Sequence, residues 1–226
     1  MAIDFLVIGD LHFPWHHKKA LAHVLEQIKI MQPKHVIQVG DLYDLFSMTK
    51  FPRSHDVILP GDEIKEAYEI AVDMWRIIKT YAPKAKCHQL LGNHDIRYKL
   101  RLQEKLPELL NVVNLEHLWK FKGVNTHYDV RKPLIIKDVA FTHGHKTKLG
   151  DTARLYGMPT VLGHSHRGGC IPVMGQKGKI IWELNAGYLA NPDSKIMTYT
   201  KDRWTGWTLG YGIIDHLGPR FVRIDL

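Results

Sequence analysis

Five short segments hold the Asp, His and Asn residues whose types and spacing could do chemistry: Gly9-Asp10-Leu11-His12, Gly40-Asp41, Gly92-Asn93-His94-Asp95, His143-Gly144-His145 and Gly163-His164-Ser165-His166. Each follows an apolar, strand-like run, so five strand ends can deliver these side chains to one place, which is how a two-metal site is assembled. In extended backbone, residues two apart point the same way, so Asp10 and His12 can reach one ion together. His164 and His166 can do the same, or splay toward two ions. A mixture of carboxylate and imidazole suits transition metals better than hard cations, so two divalent ions are expected, with Mn first and Fe, Zn, Co, Ni or Mg as alternatives. Asp41 is the natural bridge. Two such ions about 3.5 Å apart can hold a bridging hydroxide and the oxygens of a phosphate ester, the arrangement that in-line displacement at phosphorus requires.

The elements that must position these residues alternate in the first half of the chain. Ile3 to Ile8, His35 to Val39 and Cys87 to Leu91 are short apolar runs that end at glycine. Between them lie stretches with apolar residues at three-to-four spacing, first Ala20, Leu21, Val24, Leu25, Ile28 and Met31, then Ile64, Ala67, Tyr68, Ala71, Met74, Trp75 and Ile78. Pro33 and Pro83 follow the two stretches, where a chain must leave the helix. The pattern is βαβαβ, which implies parallel strands with catalytic loops at their C-terminal ends. After about Val130 the pattern turns to strands: Leu134–Ile136, Val139–Thr142, Thr160–Leu162, Ile171–Met174, Lys179–Leu184, Lys195–Thr200, Trp207–Ile214 and Arg220–Ile224. These are expected to build a second sheet stacked on the first, with helices on the outer faces. The fold class is therefore mixed α/β.

The chain has 226 residues, 45% of them hydrophobic, enough to bury a real core, and a single domain over 1–226 is expected. No linker, repeat or low-complexity run interrupts it. Its first residues read as a strand and not as a signal peptide, and no segment is long enough to span a bilayer, so no membrane partner is expected. Two cysteines, Cys87 and Cys170, show neither metal-ligand nor disulfide-framework spacing, which suits a reducing cytoplasm, and both are expected to be buried and inert. The formal charge of +8 makes DNA or RNA the obvious polyanionic partner, although a small basic enzyme carries such charge for solubility alone. The oligomeric state is not encoded in any motif.

The strings GDLH, GD, GNHD, HGH and GHSH, in this order and each after a strand, resemble the calcineurin-like metallophosphoesterase superfamily from Gly9 to His166. The resemblance implies a four-layer αββα sandwich of two mixed sheets flanked by helices. It also implies that Asp10, His12 and His166 hold one metal, that Asn93, His143 and His164 hold the other, and that Asp41 bridges both. His94 would then stabilise or protonate the leaving oxygen, with Asp95 orienting its imidazole. The second motif continues as Leu42-Tyr43-Asp44-Leu45 and the third ends in Asp95, whereas the Ser/Thr protein phosphatases have Gly-Asp-x-Val-Asp-Arg-Gly and Gly-Asn-His-Glu. The form here looks more like the branch with Mre11-type nucleases and phosphodiesterases. That implies hydrolysis of phosphodiesters in nucleic acid or nucleotides. A phosphomonoesterase acting on nucleotides, small phosphates or phosphoproteins is the alternative, and an inactive binding or scaffold protein is a remote one.

Residues beside the motifs are candidates for gripping substrate. Trp15, His16 and Lys18 follow the first motif, and an aromatic ring beside cations suits a base and its phosphate, although packing and solvation explain each residue singly. Arg97 and Arg101 follow the third motif at four-residue spacing on an expected helix and can reach a nucleic-acid backbone, or form only a solvated face. His145 reads as a group that supports a ligand or touches phosphate. Asp44 can tether a ligand loop. The connection from Phe46 to Gly61, with Lys50, Arg53, His55 and Asp56, has the length of a functional loop or lid. Trp182, Trp204, Trp207 and Tyr211 read as packing residues.

Overall fold

The computed structural model describes residues 3–50, 58–194, 196 and 205–226. Its first half runs β1 (Phe5–Ile8), α1 (Lys18–Met31), β2 (His35–Val39), α2 (Pro60–Tyr81), β3 (Lys86–Leu90), α3 (Arg97–Lys105) and β4 (Val124–His127). The second half runs β5 (Leu134–Ile136), β6 (Val139–Phe141), α4 (Asp151–Tyr156), β7 (Thr160–Leu162), β8 (Gly169–Met174), β9 (Ile180–Asn185), β10 (Gly210–Asp215) and β11 (Gly218–Arg223). Two mixed sheets result, in the orders β11-β10-β1-β2-β3-β4 and β5-β6-β7-β9-β8. Strands β1 to β4 are mutually parallel, as are β6, β7 and β9.

Side-chain alternation along the strands sorts the core into layers. Leu6, Ile8, Val36 and Cys87 pack outward against Ala20, Val24 and Ile28 of α1 and Ala71, Met74 and Ile78 of α2. Phe5, Val7, Ile37, Val39 and Leu90 face the other way, onto Phe141, Val161 and Leu184 of the second sheet. Truncating a ring such as Phe141 in that dry layer costs about 3–5 kcal/mol. On the far face of the second sheet, α4 sets Ala153 against Val173 and Ile181. The buried Glu183 carboxylate accepts hydrogen bonds from the Gly150 and Ala153 backbone at 2.5 and 2.6 Å and so fixes the start of α4. The result is the expected four-layer order, with the outer helix of the second sheet reduced to six residues.

Three expectations about the elements need correction. The C-terminal strands β10 and β11 join the first sheet, β10 pairing antiparallel with β1 through Phe5↔Ile214 and Val7↔Gly212. Alternation reveals which face of a strand is buried and carries no information on which sheet receives it. Strand β4, with its single aliphatic residue Val124, escaped the apolar criterion and is held by parallel pairing to β3. Cys170 is half-buried, whereas Cys87 is buried. The expected strand Lys195–Thr200, Trp204 and residues 51–57 of the proposed lid lie outside the described residues. Before that gap, Phe46–Met48 form a 3-10 turn whose backbone Phe46 and Ser47 N–H groups are bound by buried Glu63 of α2, at 2.7 and 2.8 Å. No helix among the described residues is long and apolar enough to cross a membrane.

Candidate metal centre

The C-terminal ends of β1, β2, β3, β6 and β7 meet where the two sheets face each other, and each hands over one of the five segments. The chain leaves the strands in a left-handed conformation: φ is 51° at Asp10 and His12, 52° at Asp41, 67° at His164 and 59° at His166. Such geometry costs a non-glycine residue roughly 1–2 kcal/mol, and its concentration at one locus marks a site that the surrounding fold holds in place. The motif glycines are required by close approach. A Cβ on Gly92 would collide with the Asp41 carboxylate, one on Gly163 with that of Asp10, and one on Gly40 would lie 2.7 Å from His143 Nδ1. A buried amide pair steadies this turn: Gln38 bonds both N–H and carbonyl of Gly40, and Gln89 donates to Gln38 at 2.6 Å.

Seven expected ligands come together in two sets. In the first, His166 Nε2 lies 3.2 Å from both Asp10 Oδ1 and His12 Nε2. In the second, Asn93 Oδ1 lies 2.9 Å from both His143 Nε2 and His164 Nδ1, which are 3.3 Å apart. Asp41 stands between them, its Oδ2 3.2 Å from His143 Nε2 and 3.9 Å from His12 Nε2. Ligands about 2.0–2.2 Å from one ion and separated by angles of 90–109° are themselves about 2.8–3.6 Å apart, so the spacings within each set, 2.9 to 3.3 Å, fit divalent ions. The donor chemistry fits too, because paired imidazole nitrogens face each other with carboxylates alongside. Among the described residues, Asp10, His12 and His166 form one group whose ligand atoms all lie within 4.8 Å, and Asp10, Asp41 and His143 form another.

Hydrogen bonds behind the cluster set the rings. His143 Nδ1 donates to the Val39 carbonyl at 3.0 Å, which turns Nε2 inward. Asp44 Oδ2 accepts from His12 Nδ1 at 2.7 Å and from His94 Nδ1 at 3.2 Å, so one carboxylate aims two Nε2 atoms at the centre. The orienting role expected of Asp95 thus belongs to Asp44. Asp95 instead accepts from the backbone N–H groups of Leu42, Tyr43 and Gly92 and from the Trp119 indole, tying the second and third motifs together. A motif reports that a carboxylate is present and not which donors surround it. The Asp44 signal was its place three residues after Asp41.

Electrostatics follow from burial among opposite charges. Burial pushes the Asp41 carboxyl up, and the imidazoles of His143 and His94 more than reverse this, holding it well below the usual range. Asp44 is likewise driven low by His94 and His12 against its burial. Burial lowers His143, but Asp41 and Asp10 lift it to about 9. Asp95, buried and facing Asp41, rises to about 6. Asp41 and Asp44 are therefore ionised at neutral pH, as carboxylates that would hold or support a cation must be.

The expected substrate residues divide. Arg97 reaches the site: Nη1 donates to the Asp44 carbonyl and carboxylate at 2.8 and 3.0 Å, and Nη2 lies 3.0 Å from His94 Nε2. Arg101 turns to Glu104 at 3.1 Å, so the two arginines do not act as one face. Trp15 is half-buried with its indole 3.4 Å from Glu63, His16 Nδ1 lies 3.2 Å from the Pro14 carbonyl, and His145 is exposed. Trp207 packs, as expected, on the cluster around Tyr188, and its ring lies 4.6 Å from that of His166 in an edge-on contact, with Tyr188 stacked on the same imidazole at 5.2 Å. Nothing in the apolar pattern marks that contact, which joins residues far apart in the chain.

The calcineurin-like phosphoesterase family profile matches residues 3–224. The chain belongs to the calcineurin-like phosphoesterase family. The family uses divalent ions at a dinuclear site, and the chain, a metal-dependent phosphoesterase, has Asp and His clusters that could hold them. This phosphoesterase is 27% identical to the gene 54 proteins of Mycobacterium phages D29 and L5, in both cases over 99% of the chain and 94% of the relative. Among solved structures it is similar to Pseudomonas putida nuclease MPE, at 14% identity and a TM-score of 0.40, covering 96% of this chain and 87% of that one.

Proposed function

We propose that this phosphoesterase hydrolyses phosphodiester bonds, with nucleic acid or nucleotides as substrate and two Mn²⁺ ions as cofactor. The observation that carries the reading is the division of seven donors into two sets with Asp41 between them, beside the anchored imidazole of His94. Asp10, His12 and His166 would hold one ion, Asn93, His143 and His164 the other, and Asp41 both. Bound there, the ions would neutralise phosphate charge and activate water at neutral pH. His94 is held through Nδ1 by Asp44, and its Nε2 lies 3.9 Å from Asp41 Oδ2, so it fronts the cluster and would give a proton to the departing oxygen. Arg97, already beside His94, would meet a phosphate oxygen. The net charge of +8 favours a polyanionic substrate, and the free cysteines suit a reducing cytoplasm.

The test is Mn²⁺-supplemented hydrolysis of labelled single- and double-stranded DNA and RNA beside mono- and bis-(p-nitrophenyl) phosphate, with Asp41→Asn as blank. The expected result is cleavage of nucleic acid and of the diester that the variant lacks. Turnover of the monoester alone would replace this reading with that of a phosphomonoesterase.

A further inference from the structure

A groove of about 670 Å³ runs between α2 and residues 120–123, beside the start of edge strand β4. Its lining runs along α2 from Tyr68 to Thr80 and includes none of the residues of the metal centre. Tyr68, half-buried, forms its aromatic floor, backed by the buried rings of Phe121, stacked on it at 6.2 Å, and Trp75, tilted against Phe121 at 6.3 Å. Arg76, Lys79, Lys120 and Lys122 line it and no carboxylate does. Arg76 is paired with Asp73 and Lys79 donates to the Ala85 carbonyl, but Lys120 and Lys122 are exposed and have no ion-pair partner among the described residues. The Trp75 indole nitrogen is buried with no hydrogen-bond partner among them either.

We propose that this groove is a second, non-catalytic site that takes a nucleotide unit of a single-stranded nucleic acid. The volume suits one nucleotide, the partly exposed Tyr68 ring can meet a base, and the unpaired lysines suit its flanking phosphates. A lone inorganic anion would leave the aromatic floor unused, and an acidic peptide would do the same. The site extends the nucleic-acid reading of the metal centre and rests on it.

Binding is read apart from cleavage. The Mn²⁺-loaded protein is titrated into a fluorescent, cleavage-resistant phosphorothioate strand of about twelve thymidines, with anisotropy as the signal. Lys120→Glu/Lys122→Glu is expected to raise Kd about tenfold and to make the salt dependence shallower by about two, while bis-nitrophenyl phosphate turnover stays unchanged. Lys177→Glu/Lys179→Glu, in the exposed turn between β8 and β9, carries the same charge change and is expected to have less than twofold effect. An unchanged Kd in the first variant, or an equal loss in the second, overturns the site. Equal binding of an abasic strand, or equal competition by polyglutamate, overturns the base-recognising floor. Strand binding through the groove with no cleavage of the unmodified strand would count against the nuclease reading alone.

Discussion

Two groups of histidines, one at the strand ends of both sheets and one on the face of the first sheet, have opposite surroundings. At the strand ends, His12, His94, His143 and His166 each lie within 4 Å of an Asp carboxylate. On the sheet face, His35, His88 and His127 stack on one another at 5.7 and 5.6 Å, and His35 stacks on Phe5 at 4.9 Å. The acidic neighbour of His35 is Asp4, half-exposed and shared by Lys34 and Lys137 at 2.8 and 3.1 Å. Burial consequently pushes these three imidazoles down, His88 to about 4, whereas the carboxylates carry His143 to about 9. Among the described residues, every His/Asp group with metal-like spacing belongs to the first cluster. Carboxylates, and not the number of imidazoles, separate a cation site from a neutral packing stack.

The largest way to break the contrast is to remove the shared carboxylate. Asp41→Asn is expected to abolish phosphoester turnover, checked with bis-nitrophenyl phosphate under saturating Mn²⁺. Next, His94→Asn is expected to lower kcat roughly 10²–10⁴-fold, most for poor leaving groups, with metal content retained. Loss of metal in that variant would make His94 a ligand. Asp44→Asn is expected to weaken metal affinity or activity about 10–100-fold, because it releases both His12 and His94. Measuring Asp95→Asn beside it sharpens the assignment, since Asp95 bonds only backbone and indole donors and its loss should show first as lowered stability.

The smallest effect belongs to the sheet-face stack. Above pH about 6.5 His88 is neutral folded and unfolded and contributes nothing to the pH dependence. Between about 6.5 and 4 the unfolded chain takes up a proton that the folded chain refuses, so stability falls as pH falls. His88→Gln should flatten that slope in urea melts at pH 7, 6 and 5, and an unchanged slope would remove His88 from the account.

Much of this is legible in the sequence alone. The runs ending in Gly9, Gly40 and Gly92 placed β1, β2 and β3, and the three-to-four spacing from Ala20 and Ile64 placed α1 and α2, because parallel strands and their covering helices bury whole faces. The motif residues converged as expected, since strand ends and turn glycines leave few directions. What escaped depends on partners distant in the chain. Strand β4 is held by β3 and not by its own apolarity, α4 is capped by Glu183 from β9, and Asp95 turned out to serve Leu42, Tyr43 and Trp119. Trp207 reaches His166 only because β10 returns to pair with β1.

The central claim is that Asp41 joins two metal sites, and counting bound Mn²⁺ per chain at equilibrium in the wild type and in Asp41→Asn tests it most directly. The account predicts two ions in the wild type, with both sites weakened together by the substitution. One ion in the wild type, or two tightly held ions in the variant, would contradict it.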